Sequence, residues 1–205
     1  MKAFVRLNSP PVLTELDSAT NKPRWISFGE RYKNNRERNP GFRFNWPNIR
    51  KVSLNAHILP TLRLQTQDHC SYCDGFPLKK GENSIDHFLP KSKPTFYTIV
   101  CQWTNLYLAC THCQDSKVEK VNPFILRPDN NEYLFSRFFV YNYILQTIEI
   151  NPLSSAQDQK RAAETIQFFD FNHTALIISR RHAFERYNGV VNPIIDDFNF
   201  RFMFE

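Results

Sequence analysis

The sequence predicts an α+β protein: a small zinc-stapled centre over 52–127, wrapped by a basic N-terminal arm over 1–51 and a C-terminal strand–helix–helix extension over 128–205. Three observations carry that expectation. Two Cys-x-x-Cys pairs, Cys70/Cys73 and Cys110/Cys113, offer the four thiols that close a tetrahedral zinc site. Apolar residues alternate with period two in some runs and recur at helical spacing in others, so both element types are present. Positive charge gathers ahead of residue 52, with seven basic residues against two acidic ones between Glu30 and Lys51, a local +5 in a chain of net charge +6. At 205 residues the chain is long enough for a sizeable core.

In the arm, Arg31, Lys33, Arg36, Arg38 and Arg43 interleave with Phe28, Tyr32, Phe42, Phe44 and Trp46. Phosphate contacts and base stacking could therefore share one nucleic-acid-binding surface. A solvated loop fits the same composition, because Asn39-Pro40-Gly41 marks an irregular segment either way. There is no apolar run of signal-peptide or membrane-spanning length, so a soluble, cytoplasmic protein without membrane association is expected. A reducing compartment favours zinc over paired disulfides, the competing reading of the four cysteines. Cys101, the fifth, is expected to be a buried apolar residue. Pro60, with Leu59, Leu62 and Leu64, predicts a short helix over 59–67 leading into the first cysteine pair, and Gly75 and Gly81 suit turns.

The long gap between the cysteine pairs holds the residues that carry chemistry. Asp86 and His87 are adjacent, so on a strand over 84–88 they point to opposite faces. A neutral imidazole, with an ordinary pKa of about 6.5, can take a proton from water. The neighbouring carboxylate suits Mg²⁺ or Mn²⁺. Asn105 is placed to accept a hydrogen bond from one ring nitrogen of His87, which would leave the other free as a base. A second strand is expected over 106–110 and a helix over 114–120, whose Lys117 either touches a phosphate or is simply solvated.

Beyond residue 128, Phe138, Val140, Tyr141, Tyr143, Ile144, Ile148 and Ile150 read as one or two strands of an outer sheet. Ser155 and Asp158 form a capping box before a helix whose Ala162, Ile166 and Phe169 share a face. A second helix is expected after a cap at Asn172, with Leu176, Ile177, Phe184 and Tyr187 facing inward and Arg180, Arg181 and Arg186 on its flank. The alternating aromatics Phe198, Phe200, Phe202 and Phe204 describe a terminal strand, packed internally or added to a partner's sheet edge.

The run Cys70-Ser-Tyr-Cys73, Asp86-His87, Asn105, Cys110-Thr-His-Cys113-Gln114 resembles the HNH endonucleases of the ββα-metal superfamily. The resemblance implies a ββα-metal centre formed by the two strands and the helix that follows them. It implies that Cys70, Cys73, Cys110 and Cys113 hold a structural Zn²⁺, that Asp86 and Gln114 hold a catalytic Mg²⁺ or Mn²⁺, that His87 is the general base and that Asn105 positions it. Gln114 departs from the family pattern, which has His or Asn there; its uncharged amide on a longer stem is expected to hold a hard ion more weakly. The opening ten residues, Gln67-Asp-His-Cys and Ala163-Glu-Thr-Ile166 are similar to the small HNH subunits of Septu-type and retron-associated anti-phage defence systems, which are encoded beside a larger ATPase. The reading is therefore a metal-dependent nuclease, hydrolysing phosphodiester bonds of DNA in preference to a structured RNA such as tRNA, and working with an ATPase subunit. A retron setting would add a reverse transcriptase and its non-coding RNA/DNA. The alternative, motivated by Gln114, is a non-catalytic zinc-stabilised nucleic-acid-binding or scaffold subunit.

Overall fold

Apolar residues at helical spacing set the helices, and each is placed by what its buried face meets. Residues 1–75 and 84–205 are described by the computed structural model; Gly81 lies outside them. A short helix α1 (Pro11–Thr14) precedes α2 (Arg24–Arg38), which buries Phe28, Gly29 and Tyr32. Gly29 is required by a close approach: a Cβ there would overlap the Thr98 carbonyl. The charged part of the arm is thus an ordered helix, and Phe28 and Tyr32, expected as stacking platforms, belong to the core.

Two-residue strands β1 (Asn48–Ile49) and β2 (Val52–Ser53) form a hairpin turned by Arg50 and Lys51, both at positive φ. The helix expected over 59–67 is longer, α3 (Leu54–Thr66), with Pro60 in its interior. Leu54, Ile58 and Leu62 explain the correction: spaced by four, all fully buried, they extend the apolar stripe upstream of the proline. Their burial offsets the backbone hydrogen bond that Pro60 cannot donate.

Strands β3 (Ser84–His87) and β4 (Leu106–Ala109) pair antiparallel, with Asp86 opposite Tyr107 and His87 opposite Leu106. The segment between them carries single-turn helical stretches at Pro94–Ile99 and Trp103–Asn105. Helix α4 (Thr111–Lys117) follows β4 directly, starting three residues before the expected 114, because Cys110 is already the extended residue at its N-cap.

The C-terminal extension opens with α5 (Phe135–Phe138) and a hairpin, β5 (Phe139–Asn142) and β6 (Thr147–Ile150). Tyr143 and Ile144, expected in a strand, lie in its turn, where the Asn142 side chain accepts from the Ile144 and Leu145 amides. Helix α6 (Ala156–Phe168) is capped by Ser155, whose hydroxyl accepts from the Asp158 amide at 3.1 Å. Helix α7 (Thr174–Asn188) is capped by His173, not Asn172. Asn172 instead pairs with the Ile148 backbone in both directions, at 2.9 and 2.8 Å, joining α7 to the hairpin. Arg180, expected on the helix flank, is buried and donates to the Gln146 and Phe171 carbonyls.

The terminal aromatics do not form a strand. They wind through short helical turns at Ile195–Asp197 and Arg201–Met203, with Phe200 in the left-handed region. The reason is Asp74: its carbonyl accepts from the Phe200 amide and its carboxylate from the Arg201 amide and guanidinium, so the tail's backbone is satisfied without sheet pairing. Phe198, Phe200 and Phe202 are buried on the chain itself. Leu13 and Tyr32, Leu54 and Leu108, and Phe169 and Phe200 all enter one hydrophobic cluster. Among the described residues no helix is long and apolar enough to cross a membrane.

Candidate functional site

The four paired cysteines converge. Cys70 and Cys73 lie in the turn after α3, Cys110 closes β4 and Cys113 sits on α4; their sulfurs all lie within 4.8 Å of one another. Cys73 Sγ and Cys110 Sγ are 3.6 Å apart. A tetrahedron with 2.3 Å zinc–sulfur bonds has edges of about 3.8 Å, so the residues fit zinc. The Ser71 amide donates to the Leu108 carbonyl at 2.8 Å, fixing the first cysteine turn against β4. Burial raises the Cys70 pKa, but hydrogen bonds from Cys110, Cys113 and Cys73 outweigh it and hold that thiol well below the ordinary range. A thiolate is the form a metal takes. Cys101 stands apart, its thiol pushed up to about 12 by burial, as an inert core residue.

On the adjacent strand, Asp86 and His87 point to opposite sides. Asp86 accepts a hydrogen bond from the Tyr72 hydroxyl at 2.7 Å and holds the Lys117 ammonium at 3.2 Å. That lysine is 1 % exposed, not solvated, and also donates to the His87 carbonyl at 2.7 Å. Its pKa is lowered by burial, which the Asp86 charge opposes. Lys117 therefore joins α4 to β3, and its charge is spent inside the fold.

His87 is 4 % exposed. Its ring stacks on Trp46, with centroids 5.4 Å apart and planes 20° apart, and meets Phe44 edge-on at 5.2 Å. Burial first, then the charges of Lys91 and Lys117, push its pKa down to about 3 against a hydrogen bond to the Val100 backbone. The imidazole is accordingly neutral at physiological pH. Its Nε2 is buried without a hydrogen-bond partner, as is the hydroxyl of Ser92. Both residues line a cavity of about 50 Å³ with Asp86, Lys91, Lys117 and Glu119. That volume admits a water or one oxygen of a larger anion.

Asn105 does not touch the imidazole. Its side-chain oxygen accepts from the Leu89 amide at 2.7 Å and its nitrogen donates to the Leu89 and Ile99 carbonyls at 3.2 and 3.4 Å. The amide is fully engaged in pinning the loop that leaves His87, so it orients the backbone and not the ring. Gln114 donates to the Ala109 carbonyl at 3.1 Å. At the cavity Asp86 is held by an ammonium and a phenol, and a hard divalent ion wants about six oxygen ligands. As arranged, these residues do not fit Mg²⁺ or Mn²⁺.

In the basic arm, Arg36 donates to the Tyr97 hydroxyl at 3.0 Å and the Phe42 carbonyl at 2.9 Å, so it braces the arm. Arg31 lies 3.4 Å from Asp17 and Lys33 lies 3.7 Å from Glu37. Arg38 and Arg43 are exposed. Sequence reasoning missed Tyr72, Ser92 and the roles of Phe44 and Trp46 over His87. Tyr72 sits inside a cysteine pair and Ser92 five residues past His87, but only tertiary packing brings them to Asp86 and the cavity.

No family model matches the chain, and no curated protein matches it.

Proposed function

We propose that the chain is an endonuclease of the HNH type, with His87 as its general base. The observation that carries this reading is the buried neutral imidazole whose Nε2 has no partner, in a cavity it shares with Asp86, Ser92 and Lys91. A ring held at one nitrogen and open at the other accepts a proton from water at the open one. A phosphodiester anion entering within about 4–6 Å favours the imidazolium, so the base strengthens as substrate arrives. Lys91 supplies positive potential where charge builds on the phosphoryl oxygens, and the Ser92 hydroxyl supplies a donor. Zinc, held by Cys70, Cys73, Cys110 and Cys113, contributes folding free energy and fixes β4 and α4 around the cavity.

A divalent-ion requirement is part of the proposal only through Lys117, which competes for Asp86. Lys117→Met should tighten Mn²⁺ binding, measured by titration of the zinc-loaded protein. DNA is the favoured substrate, with structured RNA such as tRNA as the alternative. The resemblance over 67–117 further motivates an effector role in an anti-phage complex with an ATPase subunit. A non-catalytic zinc-stabilised binding or scaffold subunit is the second reading, favoured by the Lys117–Asp86 pair and by the rings that cover His87. Supercoiled plasmid and total RNA, incubated with the purified chain in Mg²⁺ or Mn²⁺ with and without the ATPase, separate the two. Nicked or fragmented product supports the nuclease; folded, zinc-loaded protein that binds but never cuts supports the second reading.

A further inference from the structure

An aromatic recess of the arm lies between α2 and the segment that follows it, a cleft of about 290 Å³ lined by Phe42, Phe44 and Trp46 with Asn35, Asn45 and Asn48. Phe44 and Trp46 are also the two rings packed on His87. One face of this aromatic layer therefore meets the candidate base and another lines the cleft. The three asparagine side chains engage no hydrogen-bond partner among the described residues, and each offers a donor and an acceptor. Arg31 lines the same cleft at 57 % side-chain exposure, and Arg43, between Phe42 and Phe44, is exposed.

We infer that this cleft takes one unstacked nucleobase of a single strand whose neighbouring phosphate lies at the His87 cavity. The inference rests on the nuclease reading and extends it to the kind of substrate. Aromatic walls give a base its stacking surface, free amides meet its hydrogen-bonding edge, and exposed arginines match the flanking phosphates. A paired base cannot enter a recess of this size without leaving its helix, so the cleft selects single-stranded, looped or mismatched sites. Bound base and candidate general base would share the Phe44–Trp46 layer, which couples occupancy of the cleft to the setting of the imidazole.

The test compares an oligothymidylate with a strand of equal length carrying tetrahydrofuran residues in place of every nucleoside, both bound to the full zinc-loaded chain without added Mg²⁺ or Mn²⁺. Stacking of about 1–3 kcal/mol per base corresponds to about 5- to 150-fold weaker binding of the abasic strand. Phe42→Ala should weaken the intact strand and leave the abasic strand unchanged, a pattern that misfolding cannot produce because misfolding would weaken both. Asn45→Ala, at an exposed side chain, should do the same to a smaller degree. Equal affinity for the two strands, or a Phe42→Ala loss shared by both, overturns the inference and leaves the cleft to another occupant. Cleavage is scored separately on the intact strand with Mn²⁺. Cutting without a base effect sinks the cleft alone, whereas a base effect without cutting keeps the cleft and removes the nuclease reading beneath it.

Discussion

The cysteine cluster and the His87 cavity hang on the same two strands, yet the groups that would do their chemistry differ: the four sulfurs converge on one another and the imidazole Nε2 meets no partner. Around the cluster the sulfurs face one another, the Cys110 amide donates to Cys70 Sγ at 3.4 Å, and Asp74, beside Cys73, binds Arg201 and the tail backbone, while the Ser71 hydroxyl is buried without a partner. Around His87 an imidazole nitrogen and a serine hydroxyl are buried with none. An unsatisfied buried polar atom costs about 1–3 kcal/mol, so the two beside this cavity are a local cost to stability. The first region secures the strands, and the proposed chemistry belongs to the second.

That contrast can be broken from the stabilising side first. Structural zinc of this ligand set binds with about 10–16 kcal/mol of apparent free energy near neutral pH, so chelation or Cys110→Ser with Cys113→Ser should abolish cooperative folding. Elemental analysis of the purified chain should give one zinc. Unchanged thermal unfolding in the double serine variant would remove the cluster from the account of stability. Next in size is Asp74→Ala, which takes one of two carboxylates from the buried Arg201 guanidinium and leaves Asp196 at 2.8 Å. Leaving a buried charge with no partner costs about 3–5 kcal/mol, and the retained Asp196 makes that the upper bound of the loss, read as a lower urea midpoint. Lys2→Ala, at the exposed contact with Glu205, should shift that midpoint by less than about 1 kcal/mol.

A pH-dependent effect sharpens the other side. The folded-state pKa of His87 lies near 3, below an unfolded value of about 6.5. Above pH 6.5 both states hold the ring neutral and stability is complete. As pH falls from 6.5 toward 3 the unfolded chain gains a proton that the folded one refuses, so stability drops by about 1.4 kcal/mol per pH unit. Zinc loss also destabilises at low pH, so the measurement is the difference between wild type and His87→Leu. The gap in urea midpoint should change steadily between pH 6.5 and 5, and a constant gap would mean that the ring is not buried as described.

Much of this was legible from local pattern. The spacing of four cysteines sufficed for the cluster, and the strands expected over 84–88 and 106–110 agree with β3 and β4 to within a residue. What failed were inferences that assumed a charged or amide side chain acts on its nearest obvious neighbour. Lys117 read as touching a phosphate or solvated on a helix over 114–120, but α4 ends at Lys117 and packs it onto β3. Asn105 read as a partner of His87 because its side-chain carbonyl can accept from an imidazole, while its amide is consumed by the Leu89 backbone. The tail read as a strand because its aromatics alternate. A positive φ at Phe200 and the bonds from Asp74 turn the same alternation into buried helical turns. Each failure involves a partner distant in sequence, which no local period encodes.

The central claim is that the His87 cavity performs chemistry while the cluster holds the fold, and His87→Ala tests it most directly. Cleavage of plasmid or RNA by wild type and variant is to be compared at equal zinc content and equal urea midpoint. Loss of a positioned general base lowers the rate by about 10² to 10⁴, so product should fall by at least a hundredfold while nucleic-acid binding and zinc remain. A His87→Ala protein that cuts at the wild-type rate would contradict the assignment outright.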